Sequence, residues 1–495
     1  MTSSPIVDGD SSLRPSVCTG DASIRRRPRS GLTRAAERVC AHVICLILAQ
    51  VAAPITILAT RRVQRVLLTI VVLNISLGVE KHLFLRQDAA DLGSLGGLQI
   101  SLTNIALTGL YVAWLVRSIV QSGSFAPQRL KLNRVALPAV LFLLFCAVSL
   151  VVAGDTTLGV FGFVSVIERF LLFLYIATAI TSDEDVLFIF RILLIGLVIQ
   201  SSLMLAQAGG LVGDIDFYGI KARTEFAGAS RISGTIGAPN MAAAYLAMMM
   251  AVALGVLLAQ VRQADKYLAG TGLAMATLPL VFTSSRGGWL SFFVGLAILV
   301  IFGGRRLPRK AIGIVIVAII LLIIPFTGTI EERVFSDDNG SAAARMPLNR
   351  LAGVMIADHA LLGVGVNNFA LAMRPYLAHG FSGEFLYTVH NTYLLVWAES
   401  GLGGLIAFVW FLIAILRQGS KCWRSRDPLF TLPALGCSAA VIGFMVQMSF
   451  DPFRSDAANH MLWFFGGLLT AMNQLSVGRL AVPQTRIIPN RGLSH

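Results

Sequence analysis

Apolar runs long enough to cross a bilayer recur along almost the whole of this 495-residue chain. Each run, of roughly 17 to 22 residues, spans a hydrocarbon core of about 30 Å as a helix. Composition agrees, with 56% of residues apolar and only 13% charged, where a soluble domain carries about a quarter. The fold class read from these runs is all-α: a polytopic integral membrane helical bundle. The expected spans are 39–59, 66–82, 99–117, 135–153, 159–180, 186–207, 241–261, 267–284, 287–302, 311–327, 391–416, 429–449 and 460–475.

The formal charge of +14 invites a nucleic-acid reading, but no basic stripe carries interleaved aromatics. Lys and Arg gather instead in the loops that stay cytoplasmic. Arg117, Arg129, Lys131 and Arg134 mark one such loop, Arg305, Arg306, Arg309 and Lys310 a second, and Arg417, Lys421, Arg424 and Arg426 a third. Arg61, Arg62 and Arg65 belong inside, as does the cluster Arg25–Arg29, and a single crossing at 39–59 cannot satisfy both. Either that segment is re-entrant or interfacial, the favoured reading, which leaves about 12 spans, or the N-terminus is outside. The polar start is expected to be a tail and not a processed leader. No cysteine falls in a segment placed outside and no Cys/His metal spacing occurs, so neither a disulfide framework nor a metal centre is expected. The organisation expected is a disordered basic tail over 1–38 and a transmembrane bundle over 39–327 with an outer loop at 208–240. A large outward loop with short helices follows over 328–390, then C-terminal helices over 391–475 and a cytoplasmic tail over 476–495.

The outward segments are not basic: 328–390 holds six acidic residues against four Arg. An Arg at a span's outer edge therefore does not follow from the charge rule. Arg231 lies in Ser-Arg-Ile-Ser-Gly-Thr-Ile-Gly-Ala-Pro-Asn (230–240), where Asn240 is a candidate helix cap; the alternative is an Arg snorkelling to head groups. Arg286 lies in Thr-Ser-Ser-Arg-Gly-Gly-Trp (283–289), a tight hairpin whose hydroxyls, including Ser285, and helix-start N–H groups suit an anion. The alternative there is a plain turn anchored by Trp289. His390 and Asn391 open an apolar helix after the long loop, and histidine is the side chain whose ordinary pKa lies nearest neutrality. Glu399 follows about 12 Å into that helix at 1.5 Å per residue, on the far side from position 390, and is expected to bond a neighbouring helix. Glu168, Arg169 and Arg191 are expected to pair within the membrane. Asp214 and Asp216 have the spacing of a metal-binding DxD, but sit outside where a nucleotide sugar would not reach; Asp358-His359 reads as scaffold.

Taken together these motifs resemble the O-antigen ligase and O-antigen/exopolysaccharide polymerase (Wzy-type) superfamily. The resemblance rests on Arg231 in Arg-Ile-Ser-Gly-Thr-Ile-Gly-Ala-Pro-Asn, Arg286 in Ser-Arg-Gly-Gly, the run His359–Phe369, and His390-Asn391 followed by Glu399-Ser-Gly-Leu-Gly. It covers about 225 to 410; Ala360 stands where that family commonly has Pro. It implies a GT-C-like bundle in the bacterial inner membrane that moves a glycan from a polyprenyl diphosphate carrier to a glycan acceptor on the periplasmic face, with inversion and without metal or cofactor. In that scheme Arg231 and Arg286 neutralise the diphosphate and His390 is the catalytic base. Asn240, Ser285, Arg350, Asn391 and Glu399 support or contact the acceptor, as do Arg345, Arg374, Tyr376 and Tyr387 of the long loop. A polymerase is the first reading and a ligase acting on lipid A-core the alternative, with chain-length regulator or export proteins as partners. A transporter of anions or lipid-linked glycans is the rival of another class, but no inverted repeat is evident.

Overall fold

The computed structural model describes residues 60–122, 135–217, 220–222, 225–226, 229–304, 313, 317, 324, 327–328, 331, 341–379, 386–425, 427–454 and 457–481. All belong to one compact unit, Leu58–His495. The expected tail at 1–38, the run at 39–59, most of the span at 311–327 and the end of the chain beyond 481 lie outside the described residues.

Helices begin and stop where local chemistry satisfies their ends. α1 (Arg61–Leu77) is capped by Thr60 and closed by left-handed Gly78. A hairpin of β1 (Glu80–Leu83) and β2 (Leu98–Ser101), with short α2 (Gln87–Ala90) between, leads into α3 (Leu102–Ser122). α4 (Ala136–Ser149) runs into a 3-10 turn at Leu150–Val152, and Asp155 then caps α5 (Thr156–Ala179). Ser182 caps α6 (Asp183–Ala208), whose first turn holds Asp183, Glu184 and Asp185 against the positive end of the helix dipole. Two further hairpins, β3 (Ile215–Phe217) with β4 (Ile220–Ala222) and β5 (Glu225–Phe226) with β6 (Ala229–Ser230), occupy the expected loop at 208–240. Among the described residues, three small two-stranded sheets thus punctuate the helical chain.

Among the described residues the remaining α-helices are α7 (Pro239–Leu257), α8 (Gln263–Phe282), α9 (Arg286–Gly303), α10 (Ser341–Asp358), α11 (Phe369–Ala372), α12 (Thr392–Arg424), α13 (Thr431–Gln447) and α14 (Ala457–Ala481). In the loop expected to hold only short helices, α10 runs 18 residues. Among the described residues five helices, α5, α6, α7, α9 and α12, are long and apolar enough to cross a membrane. α7 is the central post: its small residues Ala242, Ala243 and Ala244 are fully buried, and α8, α9 and α13 pack around it. α4 lies against α12 and α5 against α14, and α12 meets α14 where Trp463 packs on Phe411 with ring centroids 4.3 Å apart.

Charges inside the bundle are partnered, as burial in an apolar medium requires. Arg191 of α6 binds Asp265 of α8 with both carboxylate oxygens, at 2.6 and 3.0 Å. Glu168 of α5 lies 3.4 Å from His460 of α14, and Arg169 donates to Ser165 at 2.8 Å. The loops that follow α6, α8 and α13 meet at one end of the bundle, and the polar side chains singled out above lie there.

Candidate active site

Arg231, Arg286 and Arg345 come from three distant segments and line one cavity of about 310 Å³, together with Asn240, Ser284, Ser285 and Asp451. Each is held by its own element. Arg231 follows β6 and donates Nε–H to the Thr283 carbonyl at 2.9 Å and a terminal N–H to Asn240 at 2.8 Å. Asn240 in turn donates to Asp451 at 3.0 Å, and Arg345 of α10 reaches the same carboxylate oxygen at 3.5 Å. Arg286 is the first residue of α9, whose cap is Ser285. Ser284, just before it, has φ +51°, a left-handed conformation that a non-glycine residue rarely adopts and that functional sites tend to harbour.

The expected cap at Asn240 is not what the chain builds. Pro239 takes the first helical position, moving the cap back to Ala238, and the Asn240 side chain is released to bridge Arg231 and Asp451. Asp451 is only 4% exposed. Burial raises its carboxyl to about 6 against the opposing pull of Arg345 and the hydrogen bond from Asn240. A helix N-terminus, three guanidinium groups and one carboxyl of raised pKa make a cavity of net positive charge. Fixed forks of N–H donors in that setting suit a phosphate or diphosphate.

His390 stands one step from this cavity. Asn391 caps α12 by accepting from the Tyr393 and Leu394 amides at 3.0 and 3.1 Å, and that cap places His390 outside the helix. Thr392 ties the same turn to the arginine cluster: its hydroxyl donates to the Asp451 carbonyl at 2.8 Å and accepts from Phe453 N–H at 3.0 Å. Tyr387 lies 5.5 Å from the His390 ring. Burial, with the Arg345 charge adding to it, pushes the imidazole down to about 4, so at neutral pH the ring is uncharged and able to take a proton.

Glu399, expected to bond a neighbouring helix, bonds the start of α11 and an arginine of the loop after α13. It is buried and pairs with Arg454, a residue the sequence reading passed over, at 2.7 and 2.9 Å, and it accepts from the Phe369 amide at 3.1 Å. Arg454 also donates to Thr388 at 3.2 Å, two residues before His390. α12 breaks just beyond, at Gly401 (φ +70°). There the turn after α10 docks onto it, with Val364 N–H donating to the Ala398 carbonyl at 2.8 Å, Gly365 to Glu399 at 3.1 Å and Leu402 to Ala360 at 2.9 Å. A side chain at Gly401 would sit 2.0 Å from the Leu361 carbonyl oxygen. The expected scaffold around Asp358-His359 is this docked turn.

Of the remaining candidates, Arg350 and Arg374 are exposed and do not line the cavity. Ser285 and Asn391 act as caps, and Asn240 and Glu399 are committed to Asp451 and Arg454. Arg454 was missed although a signal existed, since it lies in a stretch expected to face outward, where an Arg needs a reason of its own; no such signal marked Asp451. Asp214 is exposed, and among the described residues no group of three or more His, Cys, Asp or Glu side chains is arranged to hold a metal.

Residues 271–409 match the protein-family model described as O-antigen ligase. The segment runs from α8 into α12 and includes Arg286, Arg345, His390 and Glu399; Arg231, Asn240 and Asp451 lie outside it. Over this segment the chain is similar to the O-antigen ligase family, in agreement with the resemblance drawn from its motifs. No curated protein matches the chain.

Proposed function

We propose that this chain, similar over residues 271–409 to the O-antigen ligase family, is a membrane glycosyltransferase that moves a glycan from a polyprenyl diphosphate carrier to a glycan acceptor, extending a surface polysaccharide. The observation that carries the reading is the convergence of Arg231, Arg286 and Arg345 on one cavity, with His390 tied to it through Thr392 and Asp451. In the proposed topology twelve helices cross the bacterial inner membrane and this cavity faces the periplasm.

The reaction needs two things from the protein. As the bond between the anomeric carbon and the diphosphate oxygen breaks, negative charge develops on the leaving group. Arginines already fixed by Thr283, Asn240 and Asp451 meet that charge without reorganising. As the acceptor hydroxyl oxygen bonds to the same carbon from the opposite face, its proton passes to the neutral His390 imidazole. An anion in the cavity offsets the Arg345 charge that helps hold His390 down, so donor binding raises the basicity of the ring when a base is required. In this reading the arginines neutralise the leaving diphosphate, and inversion follows from direct displacement.

The family description favours a second reading, in which the acceptor is lipid A-core and the enzyme is a ligase. A deletion strain decides between them. The polymerase reading expects single carrier-linked repeat units to accumulate, and long carrier-linked chains mean a ligase. In the same host, His390→Ala at wild-type membrane levels is expected to abolish product; normal product length and yield would remove the base assignment.

A further inference from the structure

A second cavity, larger at about 880 Å³, takes no part in the chemistry above. Its walls are the ends of α1, α3 and α7 and the hairpin β1–β2 with α2. Apart from Ala457 of α14, all of its lining lies upstream of the segment that matches the family model. Its size falls in the range of ligand sites, roughly 300–1,000 Å³.

The groove touches both halves of the proposed site. On one side the wall is Thr235–Ala238, the middle of the segment whose ends, Arg231 and Asn240, line the arginine cavity. Ala238 and Asn240 are two residues apart, at most about 7 Å along the chain. On the other side the wall is Ser94–Gly96. The preceding residues are fastened to the His390 segment: Thr388 N–H donates to the Leu92 carbonyl at 2.9 Å, and a side chain at Gly93 would lie 2.6 Å from the Tyr387 ring.

The groove is amphipathic along its length. The hairpin end presents Glu80, Lys81, His82 and Gln87, with Lys81 exposed at the rim. The helical end presents Leu102, Ile105 and Met241, and Ile105 is 61% exposed in a stretch expected within a span. Hydroxyl-rich sugar suits the first end, an isoprenyl chain the second, and the ammonium of Lys81 a phosphate between them. Of the residues first expected to hold an acceptor, Arg350 and Arg374 are exposed and do not line the arginine cavity, and Asn240 and Glu399 are bonded to Asp451 and Arg454.

Resting on the glycosyltransferase reading, we propose that this groove seats the acceptor, a second polyprenyl diphosphate-linked saccharide, between the arginines that hold the donor and the histidine that takes its proton. The test is photo-crosslinking in the native host with the full chain carrying His390→Ala, so that substrates stay unreacted. Benzoylphenylalanine replaces Ile105, or Leu85 at the hairpin end; Leu144 of α4, equally exposed but away from the groove, is the control. Each protein is purified at wild-type membrane level and its adducts are weighed by mass spectrometry. A polyprenyl diphosphate carrying one repeat unit is expected at 105 and 85 and not at 144, and it should vanish in a host that makes no lipid-linked saccharide. Adding Ile105→Trp to the Leu85 probe variant should reduce its adduct at least tenfold. Phospholipid alone at 105 and 85, an acylated glucosamine lipid there, or no saccharide adduct would each overturn the proposal. The two readings fail separately: polymer made by His390→Ala removes the enzyme mechanism, whereas a dead His390→Ala whose groove collects only phospholipid removes the acceptor seat alone.

Discussion

At the scale of single residues, the division of labour between fixed cations and an uncharged base sets the expected phenotypes. Arg231→Ala or Arg286→Ala removes one donor aimed at developing charge, and such losses cost about 10²–10³-fold in turnover. Arg→Lys should restore only part of it, because an ammonium cannot reproduce the planar fork; a Lys variant as active as wild type would sink the diphosphate assignment. The pH profile carries a sign as well. His390 must be neutral to act and is pushed down to about 4, so activity is lost as pH falls. The acid limb of kcat/KM, which reports the free enzyme, should lie below the ordinary histidine value. Arg345→Ala should move that limb upward, since a charge that disfavours imidazolium is gone. Two of the three cavity arginines were legible because the positive-inside rule leaves an outward Arg unexplained. Arg345 stood out only as a loop contact, and Asp451 had no local pattern to mark it. Their roles depend on contacts made across 106 residues between Arg345 and Asp451, which no short motif records.

At the scale of elements, the helices themselves were readable from hydropathy, because a run that fills a bilayer has little choice but to coil. The break in α12 was not. Gly401 stands in Ser-Gly-Leu-Gly-Gly (400–404), and nothing local distinguishes a glycine that packs helices closely from one that turns. The structure assigns it the turn: φ is +70° and the Leu361 carbonyl occupies the space of a side chain. Gly401→Ala therefore combines a left-handed alanine, costing of order 1–3 kcal/mol, with displacement of the docked turn at 360–365. The expected outcome is a lower apparent Tm in detergent, by several degrees, together with reduced activity. Unchanged Tm would mean that the break has little energetic consequence.

At the scale of the whole molecule, a reporter fused at position 340 is expected to read as periplasmic; a cytoplasmic signal would put the cavity on the wrong side of the membrane for a lipid-carried donor. The fold class was evident from composition and hydropathy alone. The hairpins were not foreseen, since short strands within long polar connections carry weak periodicity, and with them went any view of the larger groove. The same break at Gly401 has a mechanical consequence. The short arm of α12 from Thr392 to Ser400 is clamped to the loop after α13 and to the turn after α10, while the long arm packs inside the bundle against α4, α13 and α14. Helices meet bilayers of different thickness by tilting, and the break lets the long arm tilt together with the helices packed on it without carrying the histidine along. Turnover in liposomes of short and long acyl chains should consequently vary little for the wild type and markedly for Gly401→Ala.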